Sequence, residues 1–183
     1  MPKPNRKIRY TKMVLRDSLI NLIKEKSILR ITIKDICDIA DISRSTFYAH
    51  YKDQYDLLRQ IQEETIANLE SLFAKYNSKE NKKNITRMTE EVLRYIADNE
   101  SIQVLISENG DSNFQKKLFS FSQKQVLRYY PTPAHVTSDD KIQTYVSAFV
   151  VSGSIRLIQQ WLKSNMDVPV HEMAKMMVWL SQR

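Results

Sequence analysis

An all-α fold follows from three observations. The 183 residues include only two glycines and five prolines, too few turn formers for the many short strands of a sandwich or barrel. Apolar residues recur at helical spacing along the chain, and no segment alternates at strand period. Hydrophobic residues make up 42% and charged residues 27%, the balance of a chain that buries a core rather than of a disordered one. The length fits one large or two small domains.

The elements follow in order. Residues 1–12, MPKPNRKIRYTK, carry Lys3, Arg6, Lys7, Arg9 and Lys12 with two prolines and no acid, and read as a flexible basic arm. Leu15, Leu19, Leu22 and Ile23 predict a first helix over residues 10–26, with an exit loop over 27–31. Thr32 and Asp35 have the spacing of a capping box, so a short second helix starts there and reaches Ala40. Asp41, Ile42 and Ser43 form a turn, and Ser43 caps a third short helix that runs through His50. Asp53 caps a fourth helix with the stripe Leu58, Ile61, Leu69, Leu72 and Tyr76, which ends in the polar run 77–84. Met88, Val92, Tyr95 and Ile96 mark a fifth helix, and residues 102–106 a sixth that stops at Asn109-Gly110. Phe114, Leu118, Phe121 and Tyr129 mark a seventh, closed by Pro131-Thr132-Pro133. Over residues 139–163 the apolar side chains, among them Ile142, Tyr145, Phe149, Ile158 and Trp161, occupy more than one face, as in a helix covered on two sides. Pro169 opens a ninth helix with the stripe Val170, Met173, Ala174, Met177 and Leu180.

Charge divides the chain. Residues 1–52 hold 12 Lys and Arg against 5 Asp and Glu, whereas residues 53–183 hold 16 of each. The whole excess of +7 therefore sits in the first quarter, which predicts a basic domain over 1–52 and a neutral helical domain over 53–183. A polyanion-binding head and a solubilising basic tail share this pattern, so motifs decide between them.

Several classes fall away. Cys37 is the only cysteine, which excludes an intramolecular disulfide and a cysteine-built zinc site and points to a reducing, cytoplasmic setting. Its position in the second helix suits packing rather than redox sensing. The most apolar stretch, residues 145–151, is far shorter than a bilayer span, and no signal peptide or membrane anchor is expected. His50, His135 and His171 are scattered, Ser152-Gly153-Ser154 is no nucleophile elbow, and no glycine-rich phosphate loop exists. The expectation is a protein that is not an enzyme, with no cofactor and no metal.

Two short helices joined by a three-residue turn, preceded by a helix and lying in the only basic segment, make a helix-turn-helix. Ile36, Ala40, Ile42 and Phe47 are spaced to bury against the first helix, which turns Arg44, Ser45, Thr46, Tyr48 and His50 outward. Those side chains offer donors for phosphates and base edges.

The threonine-capped helix, Ile36, Ser43, the run Thr46-Phe47-Tyr48-Ala49-His50-Tyr51 and Leu57-Leu58 resemble the DNA-binding head of TetR-family transcriptional regulators. Gly153, Ile158, Trp161, Leu162, Pro169 and Met173-Ala174 resemble one common C-terminal domain of that family. The resemblance implies about nine helices: a three-helix head followed by a bundle for effector binding and dimerisation. It further implies a homodimer, its last two long helices pairing with their symmetry mates, that binds a pseudo-palindromic operator in double-stranded DNA and represses until a small-molecule effector releases it. The alternative is a coregulated activator or adaptor whose body docks a partner protein. Carried over by position, Thr32, Lys34, Arg44, Ser45, Thr46, Tyr48, His50 and Lys52 become DNA contacts, with Arg44 the base reader because a guanidinium bonds both guanine acceptors.

Three positions depart from the family pattern. Asp41 stands where glycine is usual, yet Asp tolerates the left-handed conformation better than most residues. Gln54 replaces a lysine that meets phosphate, and Ser45 replaces glycine or proline. In the body, Tyr95, Phe121, Tyr145 and Phe149, with Arg156 as anion partner, form the expected effector pocket, although each side chain equally suits ordinary core. Gly153, Trp161, Met173 and Met177 form the expected dimer interface.

Overall fold

The computed structural model describes residues 6–76, 84–107, 110–129 and 140–181. Among them every regular element is helical: α1 (Arg6–Glu25), a single 3₁₀ turn (Ile28–Arg30), α2 (Ile33–Ala40), α3 (Arg44–Tyr48), α4 (Gln54–Ala74), α5 (Ile85–Ala97), α6 (Glu100–Ile106), α7 (Ser112–Tyr129), α8 (Asp140–Lys163) and α9 (Val170–Ser181). The expected end of the polar run before Asn84, Asn109, the Pro131-Thr132-Pro133 break, His135 and Lys3 lie outside the described residues. One boundary is corrected: α1 begins at Arg6, so the basic segment from Arg6 to Lys12 is helical rather than a loose arm. No glycine or proline interrupts that stretch, and Thr11 is already buried in the core.

By internal contacts the chain forms two compact units, residues 1–65 with 100–111, and residues 66–99 with 112–183. The boundary drawn from charge at residues 52/53 is a division of composition, whereas this one is a division of packing. In the first unit α1 packs on α2 and α6. Leu15, Leu19, Ile23, Ile36, Phe47 and Leu57 are its buried centre, the side chains that helical spacing turns to one face. Arg16 links three of its helices by pairing with Glu64 on α4 and donating to the Ser101 hydroxyl on α6 at 3.3 Å.

In the second unit α5 packs on α9 and α7 on α8. Its centre includes Leu93, Val151, Ile158, Trp161, Met173, Ala174 and Met177. The corner between α8 and α9 is tightly determined. Asn165 and Met166 both take the left-handed conformation (φ 53° and 56°), the Met166 N–H donates to the Trp161 carbonyl at 2.9 Å, and the Trp161 indole N–H donates to the Val168 carbonyl at 2.8 Å. The Pro169 carbonyl then accepts from the N–H groups of Glu172 and Met173, so proline stands at the start of α9, where it has no amide hydrogen to leave unsatisfied.

This packing corrects the expected dimer interface. Trp161 is 2% exposed, and Met173 and Met177 are likewise buried within their own chain. They form its core instead of an outer face. Gly153, by contrast, is exposed, and a Cβ built there meets no atom within 4 Å. The expectation that α8 is covered on two sides holds within the chain for one side only: Val151, Ile158 and Trp161 face inward, while Tyr145 and Phe149 are 77% and 78% exposed.

Candidate functional site

The helix-turn-helix is built from local hydrogen bonds that its sequence encodes. At the start of α2 the Asp35 N–H donates to Thr32 Oγ1 at 3.1 Å and the Thr32 N–H donates to Asp35 Oδ2 at 3.0 Å, a complete capping box. Lys26 adds an ion pair to the same carboxylate at 2.8 Å. The Lys26 hydrogen bond, then the Thr32 amide, pull the Asp35 carboxyl from 3.8 down to about 2. α2 ends where Asp41 adopts φ 51°, ψ 49°, the left-handed turn expected of it, and the Ile42 N–H closes the helix onto the Cys37 carbonyl at 3.1 Å. Cys37 is buried, and burial raises its thiol pKa, as suits a packing residue.

Ser43 starts α3. Its hydroxyl accepts from the Thr46 N–H at 3.2 Å and lies 2.9 Å from both the Ser45 and Thr46 hydroxyls. Phe47 then anchors the helix, fully buried, with Tyr48 edge-on at 5.8 Å and Tyr51 at 5.7 Å. Beyond α3 the chain is fixed again: the Lys52 N–H donates to Asp56 Oδ2 at 3.0 Å, and the Asp56 N–H donates to Asp53 Oδ1 at 2.7 Å. Asp53 is thus the cap of α4 that its position suggests. The hydrogen bond from the Lys52 amide, followed by that from Gln60 and the charge of Arg59, lowers the Asp56 carboxyl pKa despite its burial.

The structure brings the proposed DNA contacts together on α2, α3 and the turn after it. Thr32, Lys34, Arg44, Ser45, Tyr48 and Lys52 are exposed, whereas Thr46 and His50 are half-buried. Arg44 and Ser45 are the first two residues of α3, the end that a recognition helix presents to base edges. Lys34, Arg44 and Lys52 make no ion pair among the described residues. One contact escapes sequence reasoning: Lys12 Nζ lies 5.9 Å from the centre of the buried Tyr51 ring, tying α1 to the segment after α3.

The expected effector residues do not converge. The Tyr95 hydroxyl accepts from Asn68 Nδ2 at 3.3 Å, and Phe121 packs edge-on against Phe73 at 5.7 Å, but Tyr145, Phe149 and Arg156 are exposed side chains on α8. Helical spacing marks them as apolar or paired positions without telling an inner face from an outer one. Of the five, Phe121 alone lines either of two voids in the second unit. A cleft of about 660 Å³ runs between α4 and α7, lined by Ile66, Glu70, Phe73, Lys117, Phe121 and Arg128 among others. An inner cavity of about 110 Å³ is lined by Met88, Leu93, Val151, Ile158 and Met177 among others.

Among the described residues no helix is long and apolar enough to cross a membrane. No curated protein matches the chain. Solved structures share its fold. A TetR transcriptional regulator from Streptococcus agalactiae 2603V superposes with a TM-score of 0.68 at 22% identity, covering 97% of both chains. The fatty acid degradation regulator FadR from Bacillus halodurans gives 0.71 at 10% identity over 99% of this chain and 97% of its own. The dihydroxyacetone kinase operon activator DhaS gives 0.59 at 18% identity over 93% of each. Residues 83–183 match the family model for a transcriptional regulator C-terminal region. That match spans more than half of the molecule, so the chain belongs to the TetR family of transcriptional regulators and is not an enzyme.

Proposed function

We propose that this regulator is a homodimeric, sequence-specific DNA-binding repressor, working in the bacterial cytoplasm on a pseudo-palindromic operator and released by a small-molecule effector. The observation that carries the reading is the set of exposed donors on α3, with Arg44 and Ser45 leading, held by the Ser43 cap and the Phe47 anchor inside the one basic segment. Arg44 reads guanine, while Thr32, Lys34, Thr46, Tyr48, His50 and Lys52 position the duplex backbone. A second copy covers the open side of α8, at Tyr145, Phe149 and Gly153, and the exposed Trp179 and Leu180 of α9. Effector binding in the second unit favours a state whose paired heads no longer fit DNA.

Selection of bound duplexes from a random-sequence pool tests this reading. It predicts an inverted repeat with half-site centres ~34–36 Å apart, one dimer per site. A selected pool without a repeat contradicts it.

The second reading, an activator or adaptor whose body docks a partner protein, is favoured by the small inner cavity. Its volume of about 110 Å³ is below the ~300–1,000 Å³ of ordinary ligand pockets. Release or recruitment on DNA that requires a protein partner and no metabolite selects this reading over the first.

A further inference from the structure

Two voids of the second unit lie against a shared wall. Phe73 and Gln125 line both the α4–α7 cleft and the inner cavity, so these side chains stand between a wide cleft bordered by cations and a small apolar chamber. The cleft is cationic. α7 carries Lys116, Lys117, Lys124 and Arg128 and no acidic residue, all four cations line the cleft, and Glu70 is the only carboxylate among its lining residues. This is a local concentration, because residues 53–183 as a whole carry equal numbers of basic and acidic side chains. None of the four makes an ion pair among the described residues. Beneath them the floor is apolar and aromatic, with Phe73 edge-on to Phe121 at 5.7 Å and stacked on Tyr129 at 5.9 Å, beside Ile66.

We propose that this combined site binds an anionic amphiphile, a molecule with a phosphate or carboxylate head and an alkyl chain. The head pairs with the cations of α7, and the chain lies over Phe121, passes Phe73 and ends among Met88, Leu93, Val151 and Met177. Each half alone is a poor site. Exposed lysines hold a small anion weakly, since solvent screens them. The inner cavity is too small to enclose an effector by itself. Joined, they supply what an amphiphile needs: charge at one end and dry apolar surface at the other. The inference rests on the small-molecule reading of the body and names the ligand class for it.

Isothermal titration of the full chain with dodecyl phosphate and dodecanoate, below their micelle thresholds, tests it against dodecyltrimethylammonium and butyl phosphate. Saturable binding of a dodecyl anion, one per chain, is expected, with the cation and the short phosphate weaker by about tenfold or more. The double substitution Lys124→Glu with Arg128→Glu changes two exposed side chains and leaves the fold intact, as circular dichroism will show. It weakens the dodecyl anions by about tenfold or more. Phe73→Trp, bulkier at the shared wall, weakens the dodecyl anions but not butyl phosphate. Absence of saturable dodecyl-anion binding, equal affinity for the dodecyl cation, or full affinity in the double variant overturns the site. A parallel DNA-binding assay separates the two readings. Dodecyl-anion binding that leaves DNA affinity unchanged keeps the site and removes its effector role, whereas another compound that releases DNA while no dodecyl anion binds removes the site and keeps the effector.

Discussion

Asp35 does three jobs with one side chain: it accepts from the Thr32 amide, pairs with Lys26, and places negative charge at the N-terminus of α2. Its carboxyl titrates at about 2 in the folded chain and at an ordinary 3.8 when free. A carboxyl depressed by folding stabilises the fold when ionised, so its contribution is complete above about pH 4 and is lost as pH falls toward about 2. Thermal melting of Asp35→Asn against the parent chain shows a full gap near neutral pH that narrows below about pH 4; a gap that persists unchanged near pH 2 contradicts the assignment. Arg44 and Lys52 separate base reading from phosphate contact. Arg44→Ala costs about 1–3 kcal/mol on the operator and relaxes preference at one base pair, while Lys52→Ala weakens all duplexes alike and lowers the salt slope by about 1. Equal losses on operator and random DNA from Arg44→Ala remove it as a base reader.

At the scale of elements, the turn between α2 and α3 depends on Asp41 in the left-handed region. Asp41→Gly keeps the turn and holds or slightly raises the melting temperature, whereas Asp41→Val costs about 1–2 kcal/mol of stability. A Val variant that melts with the parent chain shows the turn has another conformation open to it. On α8, Gly153→Ala opposes two effects. The added Cβ meets nothing in its own chain and improves helix propensity by about 1 kcal/mol, yet in the proposed dimer it intrudes on the second copy. Sedimentation across a dilution series is expected to show a weaker dimer, and an unchanged dimer places the interface elsewhere. Caps were legible in the sequence because Thr32, Ser43 and Asp53 act within three residues of themselves. The partners of stripes were not. Trp161, Met173 and Met177 have the periodicity of a buried face, and periodicity does not say whether the same chain or another covers it. Tyr145 and Phe149 erred the other way for the same reason. The Lys12–Tyr51 contact joins positions far apart in the chain, beyond what local spacing encodes.

Over the whole molecule, charge and fold divide the labour. Helix content and the order of elements were readable because the chain has few turn formers and consistent helical stripes. The head was readable because its cations, caps and anchor fall within one short segment. The voids of the second unit were not, since cavity shape arises from packing between α4, α5, α7, α8 and α9, which no single stripe reports. The excess of +7 lies within residues 1–52, so DNA binding should be strongly salt-dependent through counterion release. The most direct measurement is binding of the purified chain to duplexes from its own promoter region and to random duplex across a salt series. The account predicts tight binding of one dimer to a palindrome in the promoter, at least about 10³-fold over random DNA at physiological salt, with a steep negative salt slope. Weak binding of equal strength to both duplexes at every salt concentration would contradict it.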